Sequence, residues 1–167
     1  FKILEEESPQ YLAVAFDVKA PAFRHEVYAQ YKGTRKPMPQ ELHEQVPLLK
    51  ELLAAMGIPA VEMAGMEADD IIGTLSVRCR DQGLDVVIVS GDRDLLQLAD
   101  ERVLVRIPKT RQGGTVIENY YPDDVRALYG VSPREFIDVK ALMGDSSDNI
   151  PGVPSIGEKT ATPIISA

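Results

Sequence analysis

Eight carboxylates in this chain stand at spacings that could hold divalent cations: Asp17, Glu67, Asp69, Asp70, Asp92, Asp94, Asp145 and Asp148. Hard ions such as Mg²⁺ and Mn²⁺ take oxygen ligands, and a carboxylate supplies oxygen and charge together. Acids crowded at neighbouring helix and strand ends repel one another unless a cation lies among them. Two such ions about 4 Å apart can activate a water and stabilise both oxygens of an in-line phosphoryl displacement. No Ser-His-Asp or Cys-His nucleophile system is readable, and His25 and His43 lack metal-ligand spacing. A metal-activated water is therefore the natural attacking group. Each acid also has a plainer use. Asp69 and Asp70 favour a helix N-terminus through its dipole, Asp92 can cap a helix at Leu95, and Asp148 can stabilise a turn. Four such sites in one chain favour the metal.

The elements that must position these acids follow from pattern. The run 86–89, Val-Val-Ile-Val, is too short for a helix and β-branched enough for a strand buried on both faces. Such strands belong to parallel sheets covered by helices, where ligands bind at the carboxyl ends. Asp92 and Asp94 fall there. Residues 11–16 repeat the pattern, an apolar run followed by Asp17. A helix is predicted from the Glu67 cluster through Ile71, Ile72, Leu75 and Val77, ended by Gly83. Another is predicted over 42–56, with Pro47 tolerable only near a helix start and Gly57 as its cap. Residues 1–7 read as a helix end closed by Ser8-Pro9, 58–62 as a short strand and 95–98 as a short helix. A strand over 103–107, a turn over 111–114 and a strand over 115–117 precede helices over 122–129 and 133–143, each with Pro in its first turn. Asp145 and Asp148 are three apart in a Gly/Ser-rich turn, and a Gly/Pro hairpin then opens a helix at Gly157. Pro163 is expected to break that helix. Strand–helix alternation gives an α/β fold, a mostly parallel central sheet covered by helices.

Composition narrows the function. Hydrophobic content of 44% and mean hydropathy of −0.11 are those of a globular chain. No apolar run approaches the roughly 20 residues that span a bilayer, no secretory signal opens the chain, and a lone Cys79 excludes an internal disulfide framework. A cytoplasmic protein with no membrane partner is expected, and the chain reads as an internal piece of a longer one. The net charge of −8 is a weak argument against nucleic acid, because removing the eight clustered acids leaves a neutral balance. Residues 19–39 carry Lys19, Arg24, Lys32, Arg35 and Lys36 with Phe23, Tyr28 and Tyr31 between them. Basic residues interleaved with aromatics suit a nucleic-acid backbone and its bases; a solvated surface is an equal reading.

The motifs FD, FRH and YKGTRKP, then GMEADDIIGTLS, VVIVSGDRDLLQL and KALMGDSSDNIPGVPSIGEKTA, make the chain resemble the 5′-nuclease (5′-3′ exonuclease) domains of bacterial DNA polymerase I. Those domains belong to the flap endonuclease family, whose α/β fold is PIN-like. The resemblance covers 11–161 in the family's order. It implies that the eight acids bind two Mg²⁺ (or Mn²⁺) or support the residues that do. It implies that Arg24 and Lys32 meet the scissile phosphate as catalytic groups, with Arg35 close by, and that 28–39 forms part of an arch for the 5′ strand. It places Gly152, Ile156, Gly157, Lys159 and Thr160 in a helix-hairpin-helix-like element that holds duplex phosphates through backbone amides, assisted by a monovalent cation such as K⁺. The implied organisation is an α/β nuclease core over 1–130, including a basic arch segment at 19–39, followed over 131–167 by the start of a C-terminal helical subdomain. The implied partners are 5′ flaps and nicked or branched duplex DNA, with a polymerase domain in the same polypeptide. Three departures accompany this. The family's first strand, with its DGN-like Asp, has no counterpart here; Ser155 stands where the family usually has Gly; and Pro163 interrupts a family helix. The expected activity is metal-dependent phosphodiester hydrolysis in replication and repair. A catalytically inactive DNA-binding fragment is the alternative, and a phosphohydrolase of another α/β family ranks last.

Overall fold

The computed structural model describes residues 2–111 and 114–167. The chain divides into two compact units. The first comprises the residues up to Val27 with Lys36–Ile71, and the second Tyr28–Arg35 with Ile72–Ala167.

In the first unit α1 (Lys2–Glu7) stops at Ser8, which turns to φ 42° and donates its N–H to Leu4 O at 3.0 Å. The strand expected over 11–16 is only β1 (Val14–Ala15), half-buried, and Tyr11 is 78% exposed. Its parallel partner β2 (Ala60–Val61) is equally short, so two residues of ladder are all that the apolar run finds to pair with. Between them lie α2 (Phe23–Val27) and α3 (Gln40–Ala55). Gly57, at φ 71°, ends α3 in the left-handed conformation that glycine adopts without strain. Pro47 lies well inside α3, contrary to expectation. It removes one hydrogen bond, to His43 O, but both residues are exposed, so water can replace it. Of the α3 side chains only Leu53 is buried, while Leu42, Leu48, Leu49 and Leu52 are exposed.

The second unit carries the core. From Ile72 onward α4 (Ala68–Asp81) runs to Gly83, whose φ of 82° ends it. β3 (Val86–Val89) pairs in parallel with β4 (Val103–Arg111), which pairs antiparallel with β5 (Gly114–Tyr120). Among the described residues β3 pairs on one side only, and Val87 is exposed where burial on both faces was expected. The turn predicted over 111–114 lies partly outside the described residues, at Gln112 and Gly113. A 3-10 helix (Arg93–Leu98) follows β3. Two helices, α5 (Pro122–Tyr129) and α6 (Pro133–Met143), begin with proline at the position where its missing N–H costs nothing. Fourteen buried side chains, among them Leu96, Val105, Val125, Phe136 and Val139, form one contiguous cluster.

The chain then makes a tight antiparallel pair, β6 (Gly144–Asp145) with β7 (Ile150–Pro151). A Cβ on Gly144 would lie 2.2 Å from Gly152 N, and one on Gly152 would lie 2.1 Å from Met143 O, so only glycine fits at either position. α7 (Glu158–Ile165) continues through Pro163. The expected break is overridden because Ala161 is fully buried and Ile165 packs on the core, which outweighs one lost hydrogen bond late in a short helix.

Candidate functional site

The acids fall into two groups, one in each unit, and basic side chains close both. In the first unit the loop before α4 is fixed by Gly65 O, which accepts from Phe23 N at 2.9 Å. α2 thereby presents Arg24, whose guanidinium lies 4.6 Å from the Phe23 ring centroid. Arg24 grips Asp70 with two hydrogen bonds, Nη1 to Oδ2 at 2.8 Å and Nη2 to Oδ1 at 2.7 Å, and stands 3.3 Å from Glu67 Oε2. Asp70 also accepts from Glu67 N at 2.9 Å, and Asp17 Oδ1 accepts from Ala68 N at 2.7 Å. Both carboxylates satisfy amides at the start of α4, where negative charge is favoured. Asp69, in the same turn, is exposed.

In the second unit Asp92 caps the 3-10 helix, its Oδ1 accepting from Asp94 N at 2.8 Å. The Lys140 ammonium, from the last turn of α6, sits between two carboxylates: 2.9 Å from Asp94 Oδ1 and 3.0 Å from Asp145 Oδ2. The other oxygen of Asp145 is committed to its own turn, accepting from Ser147 Oγ at 2.6 Å, Ser147 N at 2.7 Å and Asp148 N at 3.2 Å. Burial would raise the Asp145 carboxyl, but the Ser147 hydroxyl, Lys140 and the Ser147 amide together hold it well below the ordinary carboxylate range. Burial pushes Asp94 up, against the pull of Lys140, and the neighbouring Asp92 and Asp145 charges add to the rise. Lys140 is raised, since its bonds to Asp94 and Asp145 outweigh burial.

The basic segment meets the same turn. Tyr31, 5% exposed, donates its hydroxyl to Asp148 Oδ2 at 3.0 Å, and Arg35 ion-pairs with Asp148 Oδ1. Lys32 N donates to Asp148 O at 2.8 Å and Asn149 Nδ2 to Gln30 O at 2.8 Å. Lys32 itself adopts φ 55°, with its ammonium 5.1 Å from the Tyr31 ring centroid. Tyr28–Arg35 is thus latched onto the 145–149 turn. Beyond it, Gly152 is locked in the close glycine pair, Ile156 packs on the core, Gly157 caps α7, and Lys159 and Thr160 are exposed in its first turn.

Among the described residues no group of three or more His, Cys, Asp or Glu side chains is set to hold a metal ion. The arrangement is one of carboxylate pairs, each balanced by a cation of the protein. Such pairs still fit Mg²⁺, which binds through one or two carboxylates and keeps several waters. The cation resting between Asp94 and Asp145 in the structure is the Lys140 ammonium. Sequence reading missed Lys140 altogether. Its only signal was a lysine in the last helical turn, five residues before an acid.

Comparison with known proteins bears on what such a chain is. A family model described as 5′-3′ exonuclease, N-terminal resolvase-like domain, matches residues 1–130, and one described as 5′-3′ exonuclease, C-terminal SAM fold, matches 131–167. DNA polymerase I of Bacillus caldotenax is 55% identical over 98% of this chain, and that of Bacillus subtilis 49% identical over 98%. The chain spans only 18% of the length of either relative. A solved structure of the T5 D15 protein co-crystallised with metal ions is 28% identical with a TM-score of 0.78, covering 98% of this chain and 64% of that one. The catalytic core of Rad2 in complex with DNA substrate is 20% identical, with a TM-score of 0.58 over 91% of this chain and 45% of that one, a likeness of fold alone. An α/β scaffold with acids at the starts of helices and the ends of strands, matched end to end by these models, belongs to the 5′-3′ exonuclease family.

Proposed function

We propose that this chain is the metal-dependent 5′-nuclease portion of a longer polypeptide that also holds a polymerase, hydrolysing DNA phosphodiesters at 5′ ends and flaps in replication and repair. The observation that carries the reading is the Asp94–Asp145 pair, two carboxylates converging on one positive group, the Lys140 ammonium. It is supported by the family match and by metal ions and DNA in relatives' structures. Two Mg²⁺ or Mn²⁺ ions, when bound, would activate water and offset charge on the phosphate. The chain's own residues supply the rest. Asp94 and Asp145 are the proposed ligands in the second unit, with Asp92 capping the 3-10 helix beside them and Asp148 held by Tyr31 and Arg35; Glu67, Asp69, Asp70 and Asp17 are the proposed acids of the first. Lys32 and Arg35, and Arg24 once released from Asp70, would hold phosphate and favour the more highly charged transition state.

The proposed organisation is a nuclease core over 1–130 followed by a helical duplex-binding element over 131–167. In that element the amides at the head of α7 and Lys159 would take duplex phosphates, and a monovalent cation such as K⁺ would sit at the 152–157 hairpin. No helix among the described residues is long and apolar enough to cross a membrane; with relatives from Bacillus, we place the protein at the DNA of a bacterial cytoplasm.

The test is cleavage of a 5′-labelled flap substrate with Mg²⁺ and then with EDTA. Metal-dependent cutting near the junction supports the reading, and Asp94→Asn should lower it by about a hundredfold while flap binding persists. Salt-sensitive DNA binding without any cutting would instead identify a binding module.

A further inference from the structure

We infer that Lys140 is the resident counter-ion of the Asp94–Asp145 pair, a positioning residue that a divalent ion must displace and that therefore sets the metal affinity of these carboxylates. The inference rests on the metal-dependent reading above and concerns how that site is regulated.

Asp145 has one oxygen tied to the turn through three hydrogen bonds, and the oxygen left over is the one Lys140 occupies. Lys140 reaches it from a well-anchored helix, because Phe136 and Val139 of α6 are buried in the core. An ammonium only donates hydrogen bonds, so it can hold two carboxylates together but cannot share a coordination shell as a ligand while charged. A divalent ion at the same oxygens would meet the ammonium's positive charge within a few ångströms, a repulsion that even a watery dielectric does not remove. The lysine stem has four rotatable carbons, so the head can swing out where a planar guanidinium locked to both oxygens could not. The apo protein thus keeps its acids together without a metal, and loading exchanges one cation for another.

Removing the charge tests this. Lys140→Met keeps the length and helix propensity of the side chain, and it should bind Mn²⁺ about tenfold more tightly than wild type, measured by calorimetry or by the free-ion paramagnetic resonance signal. Lys140→Arg keeps the charge and should show no such gain. Equal or weaker Mn²⁺ binding by Lys140→Met, with its thermal melt intact, would overturn the inference. A second measurement needs no variant: Mg²⁺ should expose the Lys140 amine, so its acetylation, read by mass spectrometry, should rise several-fold with added metal, as reciprocal coupling requires. Acetylation unchanged by bound metal would equally overturn it. Failure of the wild type to bind Mn²⁺ at all overturns the metal reading itself, a different result from normal binding without a Lys140 effect.

Discussion

In the first unit one guanidinium balances Glu67 and Asp70 on a scaffold whose buried apolar side chains, among the described residues, are Ala22, Leu53 and Ile71; in the second, Lys140 balances Asp94 and Asp145 on a cluster of fourteen buried side chains. The electrostatic task is the same, but the mechanical support differs. A carboxylate pair is held to a few tenths of an ångström only if the elements beneath it cannot shift, and close-packed cores supply that stiffness. The first unit relies on a two-residue parallel ladder and on local bonds: Phe23 to Gly65, Asp17 to Ala68, and Arg24 to Asp70. The geometry of the carboxylates in the second unit is therefore set by the fold, and in the first by the hydrogen bonds they make themselves.

Truncating one side chain in each scaffold should separate the two units most widely. Phe136, 4% exposed and with its ring centroid 4.7 Å from that of Tyr129, should cost about 3–5 kcal/mol on truncation to Ala. Leu48 of α3, 63% exposed, should cost less than about 0.5 kcal/mol on the same change. Urea unfolding measures both. A Leu48→Ala loss comparable to that of Phe136→Ala would show that α3 is as firmly packed in solution as α6.

The same contrast explains what could be read from the sequence. Elements whose signals are local were legible: the β-branched run of β3, Pro at the first turn of α5 and α6, Gly57 and Gly83 as helix ends, and Asp92 as a cap. These lie mostly in the second unit, where local preference and packing agree. The run over 11–16 misled because a strand's length depends on its neighbours, and β2 offers only two residues. Pro163 misled because propensity is outvoted where Ala161 is buried. The acids themselves were legible by type and spacing, but their pairing was not. Asp94 meets Lys140 across 46 residues of sequence, and Tyr31 meets Asp148 across 117. No period or motif encodes such contacts; only the packed fold does.

Backbone strain is also divided unevenly between the units. Of the described non-glycine residues with positive φ, Ser8 lies in the first unit, while Lys32, Asn149 and Ser155 lie in the second. Left-handed backbone costs an L-residue about 1 kcal/mol or more and persists only where surrounding structure over-determines it. Ser155, at φ 65° ahead of α7, should relax on replacement: Ser155→Gly is expected to stabilise the chain by about 0.5–1 kcal/mol in urea unfolding, after the entropy that glycine adds to the unfolded chain. A destabilised variant would mean that the serine side chain does more in the hairpin than the backbone geometry indicates.

The smallest effect concerns how the helices start. α6 opens with a reciprocal capping box, Ser132 Oγ accepting from Glu135 N while Glu135 Oε2 accepts from Ser132 N at 2.8 Å; α3 opens at Pro39 with no side-chain cap. The Ser132 amide and hydroxyl bind the charged form of Glu135 and hold its carboxyl below the usual glutamate value. A group depressed in the folded state contributes stability that is complete above its unfolded pKa and lost as pH falls through the folded one. Glu135→Gln keeps an acceptor for the Ser132 amide and removes the titration. Wild type should therefore be slightly the more stable at neutral pH, and the gap should close as pH falls below about 4. Taking the difference between the two proteins cancels the larger acid response of Asp145, which both retain. A gap that widened toward acid would show that the glutamate binds its cap as the neutral acid, and the second unit would then lose one of the features that set its helices apart from α3.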